Sequence, residues 1–235
     1  MKRILKKMNI GVVLAIVLLL ATTAYVIISG IVFNSRKDNI RDFLQQFVND
    51  CCETNIGSAD DMYDKQKDLI SKYFSDYDLS ENERGDMVTA GNYFDELDGR
   101  KENVTEFNGG RKTEPGEITA CEAVIKNISV EKLGMNCAKV TVQVGFTATV
   151  KGVAFVYSLC GVPYSDFCDY NKEYTDPVFE ISQSANIIYY LSPSGSSWKI
   201  DGIKCNNSSY SNTPKLVGGK AADIYPDEKE GGSYE

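Results

Sequence analysis

The chain has 235 residues and a net charge of −8, from 33 acidic and 25 basic residues, and it contains no histidine. Without histidine, Ser-His-Asp and Cys-His catalysis are excluded, and without a Cys-x-x-Cys pair the usual zinc and haem spacings are absent. The acidic balance disfavours nucleic-acid binding, because the phosphate backbone is also negative. We therefore predict no metal, no cofactor and no nucleic-acid partner.

Residues 8–33 form a run without a single charged side chain. A helix needs about 20 apolar residues to cross a bilayer core, and this run is longer. A helix also satisfies its own backbone polar groups in lipid. We predict a membrane-spanning anchor over residues 8–33.

The charges around this segment predict its orientation. Residues 1–7 contain four basic residues and no acidic residue, so the positive-inside rule places this short tail in the cytoplasm and the domain outside the membrane. The alternative is a signal peptide cleaved near Tyr25. Signal-peptide apolar regions span about 7–15 residues, whereas this one continues to Phe33, so an uncleaved signal-anchor is favoured.

All seven cysteines follow the apolar segment, on the side where disulfides persist. Cys160 and Cys168 flank a Pro- and Gly-containing loop and are the best candidate pair. Cys51 and Cys52 point about 100° apart on a predicted helix, so a bond between them is disfavoured. We interpret Cys51 and Cys121 as small buried apolar residues. An odd number leaves at least one cysteine unpaired or bonded to another chain.

Helical periodicity follows the anchor. The clearest stripe lies in residues 39–52, after a short predicted break at Asn34-Ser35. A second helix is predicted over residues 59–77. A third is predicted over residues 80–97, where a Ser and a Glu three positions later form a capping box.

The apolar period then changes from 3.6 to 2, which is typical of strands. Residues 217–235 are polar and acidic and are predicted to be a disordered tail. Helices followed by antiparallel strands indicate an α+β domain over residues 34–216, with the helices packed on one face of a curved sheet. Strands are predicted over residues 118–130, 138–150, 153–159, 179–191 and 198–203.

This order resembles the nuclear-transport-factor-2-like fold, a cone-like architecture of N-terminal helices on a strongly bent antiparallel sheet. The final hairpin of that fold often ends in a strand similar to Trp198-Lys199-Ile200, which here follows the turn at Ser194-Gly195. With a single N-terminal anchor, the layout resembles inner-membrane assembly factors of conjugation and type IV secretion channels. The resemblance implies a role in envelope assembly.

A concave sheet of this kind implies a pocket. Its candidate ligand-binding residues are Glu180, Tyr189, Trp198 and Asp201. The alternative places the two acids in solvent and the two aromatic residues in the core.

Tyrosine-rich segments suggest contact loops. Residues 164–174 and 208–212 are candidates, because exposed aromatic residues are enriched at interfaces. The candidate contact residues are Tyr164, Phe167, Tyr170 and Tyr174. The alternative is that these are ordinary loop residues.

These patterns favour a non-enzymatic extracytoplasmic domain that binds other envelope proteins or a second copy of itself. One alternative is a tethered ligand-binding domain or a histidine-free enzyme that uses the concave pocket. A further alternative, a redox-sensing ectodomain, requires a labile cysteine pair.

Overall fold

A computed structural model describes residues 10–57, 59–76, 87–90, 117–134, 136–152, 172–210 and 214–223. Within these residues an apolar N-terminal helix and two shorter helices precede a mostly antiparallel sheet, which agrees with the predicted α+β class. The elements are α1 (Ile10–Lys37), α2 (Asn39–Asn55), α3 (Ala59–Tyr73), β1 (Glu117–Leu133), β2 (Cys137–Lys151), β3 (Lys172–Ser194), β4 (Ser197–Tyr210) and β5 (Lys215–Asp223).

Helices α1 and α2 are almost continuous. The break predicted at Asn34-Ser35 is wrong, because both residues are helical and the Ser35 hydroxyl donates back to the carbonyl of Val32 over 2.8 Å. Only Asp38 separates the two helices, and its backbone keeps helical angles (φ −65°, ψ −26°). Helix α1 therefore enters the domain without a flexible linker.

Helix α2 buries the face that its periodicity predicts, and α3 packs beside it. The ring of Phe47 contacts the ring of Tyr73 edge-on, with centroids 5.1 Å apart. The buried residues of α2 are Ile40, Leu44, Phe47, Val48, Cys51, Cys52 and Asn55.

Helix α3 is shorter than predicted. It ends at Tyr73, and the Ser75 amide donates to the carbonyl of Ile200 over 2.9 Å. Within the predicted third helix the structure describes residues 87–90, and there the helix prediction is wrong at Val88. This residue exchanges two backbone hydrogen bonds, of 2.7 and 2.8 Å, with Ile203. In both places pairing with β4 replaces the intrahelical bonds.

The sheet has the order β1-β2-β3-β4, and β5 pairs with β3. Strand β3 has 23 residues, so it pairs with β4 through one half and with β5 through the other. The tail prediction is wrong for residues 217–223, which belong to β5. Their polar composition does not prevent pairing, because the first half of β3 offers backbone groups that need partners. Residues 224–235 lie outside the described part of the chain.

The core lies between the sheet and helices α2 and α3. Strand β2 alternates as predicted, with every second side chain buried against the helices. Its buried residues are Ala138, Val140, Val142, Val144, Phe146, Ala148 and Val150.

Helix α2 also lies along the outer edge of β1. The Gln45 amide nitrogen donates to the carbonyl of Ala123 over 3.1 Å, and the Ile125 amide donates to the Gln45 oxygen over 3.1 Å. The Arg41 guanidinium donates to the Ile125 carbonyl over 3.1 Å. Side chains thus satisfy edge groups that would otherwise pair with another strand.

Candidate functional site

The first part of α1 projects free of the domain. Its large apolar side chains from Ile10 to Ile28 are exposed, apart from the half-buried Val13, and from Ser29 onward the domain covers one face of the helix, with Ser29 and Phe33 buried. These first 19 helical residues extend about 28 Å, close to the thickness of a bilayer hydrocarbon core. The length and composition of α1 make it the one helix in the described ranges that is able to cross a membrane.

A polar contact fixes the covered end of α1 to the β1–β2 hairpin. The Lys132 ammonium donates to the Ser29 hydroxyl over 2.6 Å, and that hydroxyl donates to the Asn136 side-chain oxygen over 3.3 Å. The same ammonium lies 5.8 Å from the centroid of the Phe33 ring. A cation at this distance is attracted to the ring face.

An aromatic contact fixes the same end of α1 to the β3–β4 hairpin. Phe33 packs edge-on against Trp198, with centroids 6.3 Å apart and ring planes at 78°. The Trp198 indole N–H points to the carbonyl of Arg36 over 3.4 Å. This carbonyl lies in the last turn of α1.

Two tight turns bring these groups together. Gly134 and Gly195 have φ of +47° and +58°, a backbone conformation that residues with a Cβ rarely adopt. Each turn returns the chain beside α1, so two hairpins hold one helix end. We call this arrangement of Ser29, Phe33, Lys132, Asn136 and Trp198 the anchor–domain junction.

The aromatic members of the predicted pocket are core residues. Tyr189 is 1% exposed, and its ring contacts Phe47 of α2 with centroids 5.9 Å apart. Trp198 is 2% exposed and belongs to the anchor–domain junction. Both side chains therefore occupy the space between sheet and helices that a ligand would need.

The acidic members of the predicted pocket lie far apart. Glu180 is exposed, nine residues before Tyr189 on β3, a separation of about 30 Å along a strand. Asp201 is half-buried at a bulge in β4, and its carboxylate accepts 2.6 and 2.8 Å hydrogen bonds from the hydroxyls of Ser75 and Ser192. Burial, and then the nearby Asp201 carboxylate, raise the pKa of Cys137.

A shallow groove of about 390 Å³ lies between α2 and α3. On its wall the Asp50 carboxylate accepts hydrogen bonds of 2.6 Å from both the Lys72 ammonium and the Tyr73 hydroxyl. The hydrogen bond to Asp50 raises the pKa of Lys72, and burial followed by the Asp50 contact raises that of Tyr73 to about 12. The groove lining mixes acids and cations: Asp50, Glu53, Thr54, Lys65, Asp68, Leu69 and Lys72.

Three of the predicted contact residues, Tyr164, Phe167 and Tyr170, lie outside the described part of the chain. The candidate disulfide pair Cys160 and Cys168 also lies outside it. Tyr174 is described, and its placement in a loop is wrong. It lies in β3, opposite Ala221 of β5, because β3 begins seven residues earlier than predicted. Its ring packs against Phe179 with centroids 5.5 Å apart.

Sequence reasoning missed the polar half of the anchor–domain junction. Ser29 resembles any small polar residue in an apolar run, and Lys132 resembles any cation in a turn.

Among the described residues no cluster of three or more acidic, cysteine or histidine side chains is placed to hold a metal ion. Comparisons of the chain with models of known families, with curated proteins and with solved structures found no match.

Proposed function

We propose that this chain is a single-pass membrane protein whose extracytoplasmic domain binds other envelope proteins or further copies of itself. The observation that carries the proposal is the anchor–domain junction. Two hairpins hold the end of an exposed apolar helix through Ser29, Phe33 and Trp198, and α2 follows α1 without a linker.

A junction of this kind holds the domain at a defined height and orientation above the membrane. A flexible linker would let a domain search a volume for soluble substrates. A short, packed connection restricts it to neighbours in or beside the same membrane, which is the geometry of a scaffold or assembly factor.

The finer parts of the proposal rest on the sequence. The basic tail over residues 1–7 supports a cytoplasmic N-terminus. The helices-then-sheet order and the Trp198-Lys199-Ile200 strand support a cone-like, nuclear-transport-factor-2-like fold. That resemblance supports a role in secretion or conjugation.

The alternative of a tethered ligand-binding domain or a histidine-free enzyme has less support. In the described part of the chain Tyr189 and Trp198 are packed against α2 and α1, and Glu180 is remote from both. We therefore favour protein binding and include no catalytic step.

Reporter fusions test the orientation. We expect alkaline phosphatase fused after residue 223 to be active and green fluorescent protein at the same position to be dark, because the first folds outside the cytoplasm and the second inside it. The reverse pattern would place the domain in the cytoplasm and contradict the extracytoplasmic part of the proposal.

Photo-crosslinking in intact membranes tests protein binding. A photoreactive residue at exposed Ser196, beside the anchor–domain junction, is compared with one at exposed Lys220 on β5. We expect Ser196 to give discrete, reproducible adducts with membrane proteins or with a second copy, and Lys220 to give fewer. Monomer alone at both positions would overturn the proposal.

A further inference from the structure

Two cysteines from different elements meet where α2 runs beside β1. The alignment of the two elements is fixed on both sides of them. At one end Gln45 binds the backbone of Ala123. At the other end Gly57 and Ile118 exchange backbone hydrogen bonds of 2.9 and 3.2 Å.

Cys52 and Cys121 lie between these two fixed points. The Cys52 side chain is 3% exposed, and its thiol hydrogen-bonds to the Cys121 thiol on β1; both cysteines are free thiols in this structure. Cys121 is half-buried rather than buried, so it is the more accessible of the pair. Cys51 is also buried, but side chains of adjacent helical residues point about 100° apart.

We propose that Cys52 and Cys121 form a disulfide bond that joins α2 to the edge strand β1 in the mature protein. This site is independent of the Cys160–Cys168 pair and of the proposed binding function. It requires the domain to face a compartment in which disulfides persist.

The bond forms by exchange with a disulfide-bearing thiol oxidoreductase, which is the oxidant. The accessible Cys121 thiol, as thiolate, attacks the oxidoreductase disulfide, and a mixed disulfide forms while one oxidoreductase thiol is released. Cys52 then attacks the Cys121 sulfur, and the second oxidoreductase thiol leaves and takes up the proton that Cys52 loses. Two protein thiols are oxidised and one oxidoreductase disulfide is reduced to a dithiol.

The surroundings of Cys52 support this order of events. The hydrogen bond with Cys121, followed by burial, raises the pKa of Cys52 well above the usual thiol value. Conversion of Cys121 to a mixed disulfide removes that hydrogen bond and brings an electrophilic sulfur beside Cys52. Cys52 is thus placed to resolve the bond rather than to start it.

Peptide mapping of the wild-type protein tests the proposal. Membranes of the native host are quenched in acid, free thiols are alkylated, and the full chain is digested with trypsin without reduction. We expect the peptide over residues 42–65 to be linked to the peptide over residues 113–126, and the pair to separate on reduction. Alkylated Cys52 and Cys121 before reduction would overturn the proposal.

Variants assign the bond to Cys52 rather than Cys51. We expect Cys51→Ala to keep the linked peptides and Cys52→Ala to lose them; the opposite result would overturn the assignment. Cys137→Ser is the matched control, because Cys137 lies on β2 roughly 35 Å along the sheet from Cys121 and keeps the pair intact. Should Cys52→Ala fail to accumulate, linked peptides in Cys51→Ala still assign the bond to Cys52.

Thermal unfolding provides an independent measurement. The proposed bond closes a loop of about 70 residues, so we expect reduction to lower the unfolding midpoint of the purified wild-type protein by about 10 °C. We expect the same reduction to lower the midpoint of a Cys121→Ala variant by less, because any other disulfide, such as Cys160–Cys168, is reduced in both proteins. Equal effects on both proteins would contradict a stabilising bond at this site.

Discussion

The Lys132 ammonium donates a 2.6 Å hydrogen bond to the Ser29 hydroxyl, and so ties the β1–β2 hairpin to helix α1. Beside this bond Phe33 packs against Trp198 of the β3–β4 hairpin. A tilt or rotation of α1 must therefore either move both hairpins or break these contacts. Helix α1 and the sheet are therefore mechanically coupled at the anchor–domain junction.

Removal of the Phe33 ring is expected to loosen this coupling. Phe33 is 5% exposed, and Phe-to-Ala changes in cores cost about 3–5 kcal/mol, so Phe33→Ala should destabilise the domain by about 3 kcal/mol. Trp198 is the only tryptophan of the chain and reports directly on this contact. The measurement is denaturant unfolding in lipid nanodiscs, followed by tryptophan emission.

Ile31→Ala is the matched control for this change. Ile31 lies two residues away on the same helix but is 64% exposed on its free face. It should leave the emission and the unfolding midpoint unchanged. An unchanged emission and midpoint for Phe33→Ala would show that the aromatic contact does not hold the domain to its anchor.

Loss of the Gln45 side-chain amide should expose the edge of β1. Gln45→Leu removes the partners of the Ala123 carbonyl and the Ile125 amide, and an unsatisfied buried polar group costs about 1–3 kcal/mol. These groups are only partly buried, so we expect a loss of about 1–2 kcal/mol in the free energy of unfolding. The freed edge should also promote self-association, measured by sedimentation velocity in detergent.

Gln46→Leu provides the comparison, because Gln46 is exposed on the same helix. It adds the same apolar side chain without removing a partner from β1. If both variants lost stability and associated equally, the effect would come from added surface hydrophobicity and not from the edge of the sheet.

Much of this fold was predictable because local patterns and tertiary burial agree. The alternation in β2 and the stripe in α2 predict the buried faces directly, since each element has one polar and one apolar side. The sequence prediction and the structure disagree where backbone pairing with a distant strand determines the secondary structure. Val88 and β5 pair with strands distant in sequence, and their own residues carry no signal for these partners.

The candidate sites were less predictable, because they depend on which side chains meet. Tyr189 and Trp198 have the same pattern whether they line a pocket or fill a core, and packing against α2 and α1 decides between the two. From the sequence pattern alone, Cys121 is predicted to be a small apolar residue, because the pattern does not show that α2 lies beside β1. Only the alignment of these two elements brings Cys52 to it.

Substitutions at Asp201 distinguish a structural role of this carboxylate from a ligand-binding role. Its carboxylate accepts from Ser75 and Ser192, so Asp201→Ala leaves two hydroxyls without their acceptor and should cost about 1–3 kcal/mol. Asp201→Asn keeps an accepting oxygen and should cost less. Urea unfolding of the two variants measures this ranking, and a larger loss for Asp201→Asn would contradict the structural role.

The Tyr73 hydroxyl should make stability depend on alkaline pH. Burial, followed by its hydrogen bond to Asp50, raises the pKa of Tyr73 to about 12, whereas an exposed tyrosine in the unfolded chain titrates near 10. The folded state thus holds this proton more tightly than the unfolded state. The stabilising contribution is fully present below pH 10 and is lost as the pH rises from about 10 to about 12.

Tyr73→Phe removes the titrating hydroxyl while Asp50 remains. We expect the difference in unfolding free energy between wild type and Tyr73→Phe to stay constant from pH 7 to about pH 9.5, and then to change in favour of the variant up to about pH 12. Both proteins are compared in a Lys72→Met background, because Tyr73 also contributes to the raised pKa of Lys72. A difference that stays constant throughout would show that Tyr73 titrates normally and that its bond to Asp50 does not stabilise the neutral phenol.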